Sequence, residues 1–70
     1  MAIVDIEGTV FNWNNFVYLY INTEEDGAQT LRGIATNGGY AKIATVNPKK
    51  TLSGIYNAID AGYTAYQVEE

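Results

Sequence analysis

Seventy residues without a cysteine or a histidine exclude disulfides, zinc sites of the ordinary kind, and nucleophilic chemistry that needs a histidine base. Eight acidic side chains against four basic ones leave a net charge of -4, which argues against the basic footprint of a nucleic-acid binder. With 47% apolar and 17% charged residues the composition is that of a globular domain, expected to span 1–70 as a single unit.

A chain this short buries a small share of its surface, so its stability margin is thin, and a partner chain is the staple left open to it. The start, "MAIVDIEG", carries acids and no basic region, which argues against a signal peptide. No apolar run approaches the roughly 18 residues of a membrane span. The expected location is therefore cytoplasmic, with no membrane contact.

In chain order, residues 2–12 alternate and are expected to form one strand, with Val4, Ile6 and Val10 inward and Asp5, Glu7 and Thr9 outward. Gly8 falls on the inward side and marks a bulge or a close approach. "NWNN" (12–15) reads as a hairpin turn. The next strand, "NFVYLYIN" (15–22), is apolar on both faces. Val17, Leu19 and Ile21 are assigned to the core, and Phe16, Tyr18 and Tyr20 to the opposite face.

"TEEDGA" is a hairpin loop with Gly27 in the left-handed position. Residues 28–36, "AQTLRGIAT", fit a short helix or a strand. Glycines at or inside their ends, and the Asn-Gly turn that follows, favour a strand. "YAKIATV" (40–46) is a further strand.

A helix is expected at about 48–61, with Asn47 as N-cap, Pro48 in the first turn, an apolar stripe of Leu52, Ile55, Tyr56 and Ile59, and Gly62 as the stop. Gly54 would let that helix lie close on the sheet. "YTAYQVEE" (63–70) is a last strand.

These elements predict an α+β fold. A mostly antiparallel sheet of four to five strands carries one helix on one face, in the order ββββαβ. Its core is Val4, Ile6, Val10, Val17, Leu19, Ile21, Ile43, Leu52, Ile55, Ile59 and Val68. Residues 30–46 and 51–68 share Thr-Leu-x-Gly-Ile and then Gly-Tyr. Read as a duplication, that echo makes 28–36 a helix and the order ββαβαβ.

No catalytic, metal or cofactor residues are assigned. Asp5 with Glu7, and Glu24-Glu25-Asp26, are carboxylate groupings best read as solvated. Lys49 and Lys50, in the first helical turn, form with Lys42 a candidate anion site. No Walker A or GxGxxG spacing is present.

The stronger signal is aromatic: Phe11, Trp13, Phe16, Tyr18 and Tyr20 cluster within ten residues as an expected interface. The expected function is a non-enzymatic protein-interaction module that self-associates as a homodimer or higher oligomer, or docks on a protein target. Small, acidic, tyrosine-rich chains are similar in gross composition to phage- or virus-encoded accessory and inhibitor proteins. The alternatives are an acidic inhibitor that mimics nucleic acid, and a nucleic-acid or anion binder using Lys42, Lys49 and Lys50.

Overall fold

The computed structural model describes residues 1–69; the last residue of the expected strand 63–70 lies outside them. Strands β1 (Ala2–Val4) and β2 (Val10–Asn12) are followed by a 3₁₀ turn (Trp13–Asn15). Then come β3 (Phe16–Thr23), β4 (Gln29–Ala35) and β5 (Tyr40–Ala44), the helix α1 (Pro48–Asp60) and β6 (Ala65–Gln67). The class is α+β, as expected. The strands, however, form two three-stranded sheets, β2-β1-β6 and β3-β4-β5, rather than one sheet of four to five. The order is βββββαβ, not ββββαβ.

The extra strand arises because the first expected strand is a hairpin. The Asp5 carboxylate accepts hydrogen bonds from the backbone N–H of Glu7 (3.0 Å) and Thr9 (2.8 Å), and Gly8 takes φ +91°. This side-chain turn competes with extended structure and wins. The inward side on both arms of this hairpin is the odd-numbered one, opposite to the side expected. The residues facing inward are Ile3, with Phe11 as its cross-strand partner. Ile6 and Val10, expected in the core, are 45% and 64% exposed, and Val4 is only half-buried.

"NWNN" is not a hairpin turn. Asn12 caps the 3₁₀ turn by accepting from the N–H of Asn14 (3.0 Å). That turn hands the chain from the first sheet to the second, so β2 and β3 do not pair. The first sheet is closed by β6, which runs parallel to β1 with Ile3 opposite Tyr66.

The second sheet is an antiparallel meander. Gly27 (φ +87°) and Gly38 (φ +91°) sit in its two hairpin loops. With a tight loop at each end, Gln29–Ala35 is held extended, so the order ββαβαβ does not occur. The Thr-Leu-x-Gly-Ile pattern is a strand at 30–34 and a helix at 51–55.

A bulge between Phe16 and Tyr18 adds Val17 as an unpaired residue in β3. It turns Phe16 onto the same face as Leu19 and Ile21 and leaves Val17, expected in the core, exposed.

Helix α1 begins at Pro48 as expected, but Asn47 is left-handed (φ 49°) and its side chain makes no capping bond. Its end is a complete Schellman motif. Gly62 (φ +76°) donates to the carbonyl of Ile59 (3.1 Å), and Tyr63 donates to that of Ala58 (2.9 Å). The buried line is Thr51, Ile55 and Ala58, with Leu52 half-buried; Ile59, expected inside, is exposed. Gly54, on the same side as the buried line, lies against Tyr66 of β6.

The core is Ile3, Leu31, Ile43, Ala44, Ile55 and Val68, enclosed by both sheets and the helix. Among the described residues, no helix is long and apolar enough to cross a membrane.

Candidate functional site

The register of the second sheet sorts its side chains between two faces. Leu19 lies opposite Gly33 and Ile21 opposite Leu31, on the face that meets α1. On the other face Tyr18 lies opposite Ile34, Tyr20 opposite Arg32, and these in turn oppose Tyr40 and Lys42 of β5. The helix covers only the first face. The outer face therefore carries three tyrosines, Ile34 and two cations, with Tyr18 and Tyr40 more than half exposed.

Arg32 organises this face. Its side chain is 14% exposed, a low value for an arginine on an open sheet face. The guanidinium donates to Glu24 Oε1 at 2.8 Å and lies 4.3 Å from the centroid of the Tyr40 ring. The same Glu24 oxygen is 3.3 Å from Lys42 Nζ and accepts from Thr30 Oγ1 at 3.2 Å.

The hydrogen bond from Arg32 holds the Glu24 carboxyl below its ordinary pKa, against the opposing effect of desolvation, with Lys42 and Thr30 adding to the lowering. Glu24 in turn raises the pKa of Arg32 further. The rings of Tyr18 and Tyr20 are 5.8 Å apart. The outcome is an aromatic surface in which one cation is fixed in place and Lys42 remains about half exposed.

Of the five expected interface residues, Tyr18 and Tyr20 are on this face. Phe11, Trp13 and Phe16 are not: all three pack against the core, and the Phe11 and Phe16 rings meet at 5.9 Å. Phe11 faces inward as the cross-strand partner of buried Ile3, and the bulge at Val17 turns Phe16 to the same side. Arg32, Ile34 and Tyr40 carry no mark in the sequence that assigns them to a site. Their signal is the two-residue alternation of 32–34 and 40–42, which acquires meaning only once both segments are strands with a known register.

Lys42, Lys49 and Lys50 do not converge as the candidate anion site requires. Lys42 belongs to the outer face beside Glu24, whereas Lys49 and Lys50 are in the first turn of α1, which packs on the inner face. Three of the carboxylates are already engaged. Asp5 and Asp26 are occupied as acceptors in their own turns, and Glu24 holds its two cations. Among the described residues, no group of three or more acidic side chains is arranged to hold a metal ion.

A second surface lies on the other side of the sheet. An apolar groove of about 270 Å³ runs between β3 and α1, lined by Trp13, Leu19, Leu52, Ile55, Tyr56 and Ile59.

Comparison of the chain with protein-family models, with curated proteins and with solved structures returns no match.

Proposed function

We propose that this chain is a non-enzymatic protein-interaction module that binds a protein target through the outer face of its second sheet. The observation that carries the reading is Arg32, clamped between Glu24 and the Tyr40 ring in the middle of an uncovered tyrosine face. Tyrosine and arginine are enriched among the residues that dominate interface energetics, tyrosine because it buries a large area while fixing only two side-chain torsions. An arginine already held in place loses less entropy on binding than a free one.

The fitting partner is a protein surface with an apolar centre and a carboxylate to meet Lys42. Two copies placed face to face are disfavoured, because they would oppose Arg32 and Lys42 of one to those of the other. The non-enzymatic reading is supported by Asp5, Glu24 and Asp26, which are held in turns and ion pairs, and by the lack of a histidine or cysteine to act as base or nucleophile. A module without chemistry of its own suits an accessory or inhibitory role. The nucleic-acid and anion-binding alternative is weakened by the separation of Lys42 from Lys49 and Lys50, and the nucleic-acid-mimic alternative by the supply of only eight acids, of which Glu24 is paired with two cations.

The test compares proteins captured from the source cell by the wild type, by Tyr18→Ser with Tyr40→Ser, and by Tyr56→Glu. A protein lost with the tyrosine pair on the sheet but retained with the helix variant supports the reading. Identical capture by all three overturns it.

A further inference from the structure

We infer that the free edge of β3 is a homodimer interface, where a second copy of this chain adds its own β3 antiparallel about a two-fold axis to make one six-stranded sheet. This inference rests on an edge and a groove, and stands independently of the role given to the outer face.

The two edges of the second sheet are protected very differently. Sheet edges expose unpaired backbone donors and acceptors, and natural proteins guard them with charge, proline, bulges, shortness or a cover. β5 has several of these guards. It is five residues long, carries Lys42, has an irregular register at Ile43, and shares a cleft with the Asp5–Glu7 turn. β3 is eight residues long, and among the described residues no strand pairs on its other side. Its bulge sits at the entrance, at Val17. From Tyr18 to Thr23 the strand reads "YLYINT", with no proline, no acid and no lysine or arginine.

The groove identifies what completes that edge. Leu19, on the inner face of β3, forms one wall, and Leu52, Tyr56 and Ile59 of α1 form the other. Tyr56 is 69% exposed and Ile59 42%, so the helix presents large apolar side chains over a space the chain does not fill.

In a two-fold continuation of the sheet, both helices lie on the same side. Each packs over its own β4, so three strand spacings of about 4.8 Å place the two helix axes about 14 Å apart. Packed helices stand roughly 8–10 Å apart, so the remaining gap is one that long side chains fill. Tyr56 and Ile59 point into it from both copies. A foreign strand would satisfy the edge and leave the groove half empty; a second copy answers both with one symmetry operation, the commonest kind.

Charge selects the antiparallel arrangement. At a net charge of -4, two copies repel over most of their surfaces, but Tyr18–Thr23 contributes no acid or base. The acidic loop Glu24–Asp26 directly follows β3. Antiparallel pairing sends the two loops to opposite ends of the ladder, each beside the uncharged Asn14–Phe16 of the other copy. Parallel pairing would stack them.

The test is sedimentation equilibrium of the full chain at micromolar concentration, with amide hydrogen exchange on the same samples. The expected result is a dimer in which the outward amides of Tyr18–Thr23 slow as concentration rises, while those of Tyr40–Ala44 do not. Tyr56→Glu with Ile59→Glu, both on the exposed side of the helix, should weaken the dimer by about tenfold or more, the scale of a lost hot spot. Tyr40→Glu should leave it intact, so that loss of target binding and loss of dimer are separate readings. A monomer at every concentration, a dimer whose β3 amides stay fast, or a dimer unaffected by the helix variant would overturn the inference.

Discussion

The ring of Tyr66 rests directly on the backbone of α1 at Gly54: a Cβ built there would lie 2.6 Å from the ring carbons, far inside contact distance. By intrinsic propensity, Gly54→Ala should stabilise a helix interior by about 1 kcal/mol. Overpacking of a close contact costs about 1–3 kcal/mol, which is larger. Gly54→Ala is therefore expected to lower the melting temperature, and the same change made together with Tyr66→Val is expected to raise it relative to Tyr66→Val alone. A double-mutant cycle from thermal melts checks this. Additive effects would mean that the ring and the helix are not in contact.

Thr51 is fully buried, and its hydroxyl has no hydrogen-bond partner. Valine has the same shape without the buried polar group, and removing such a group is worth about 1 kcal/mol. Thr51→Val should raise the melting temperature by about 4–8 °C for a domain of this size. A lower melting temperature would show that the hydroxyl does bond, with the Asn47 carbonyl one turn back as the candidate acceptor.

Ile55 is the buried centre of the helix face, in contact with the core that both sheets share. Truncating a buried isoleucine to alanine costs about 2–5 kcal/mol. A 70-residue domain at about 0.05–0.15 kcal/mol per residue holds roughly 3.5–10 kcal/mol in all. Ile55→Ala should consume much of that and shift the urea midpoint sharply down. An unchanged midpoint would contradict the placement of α1.

Glu24 gives the fold an acid-sensitive element. Arg32 holds its carboxyl below the ordinary pKa, so the folded state binds that proton more weakly than the unfolded chain does. A depressed acid contributes stability that is fully present above its unfolded pKa, about 4.3, and is lost as pH falls through the folded value. Urea melts from about pH 6 down to about pH 3 should show stability falling, with a shallower fall in Glu24→Gln. Equal slopes in the two proteins would mean that the Glu24–Arg32 pair is not formed in solution.

Much of this architecture was legible because it rests on local chemistry. Glycines 27, 38 and 62 sit at positive φ where the Asp-Gly, Asn-Gly and helix-stop patterns put them. Strand β4 follows from the two loops that bound it. Other elements conserve the appearance of a different structure. Val4, Ile6 and Val10 keep an even spacing through a side-chain turn, so a hairpin resembles one strand. An added residue at Val17 leaves no compositional mark, yet it moves Phe16 from one face to the other. The site suffered most, since Arg32 and Tyr40 are eight positions apart and become neighbours only through the β4–β5 register.

The parallel pairing of β1 with β6 has a kinetic consequence. The hairpins of the second sheet close over a few residues, but the ladder from Ala2 to Ala65 closes over about sixty, at an entropic cost that must be met before its contacts form. The expected sequence of events is a meander that assembles early and a first sheet that locks late. While β6 is still missing from a growing chain, Ile3 lacks one flanking strand, and the core lacks Val68. Folding and unfolding rates of Ile3→Val and Ile21→Val separate the stages. The Ile3 change should act on unfolding alone, and the Ile21 change should also slow folding. The reverse pattern would show that the long closure comes first.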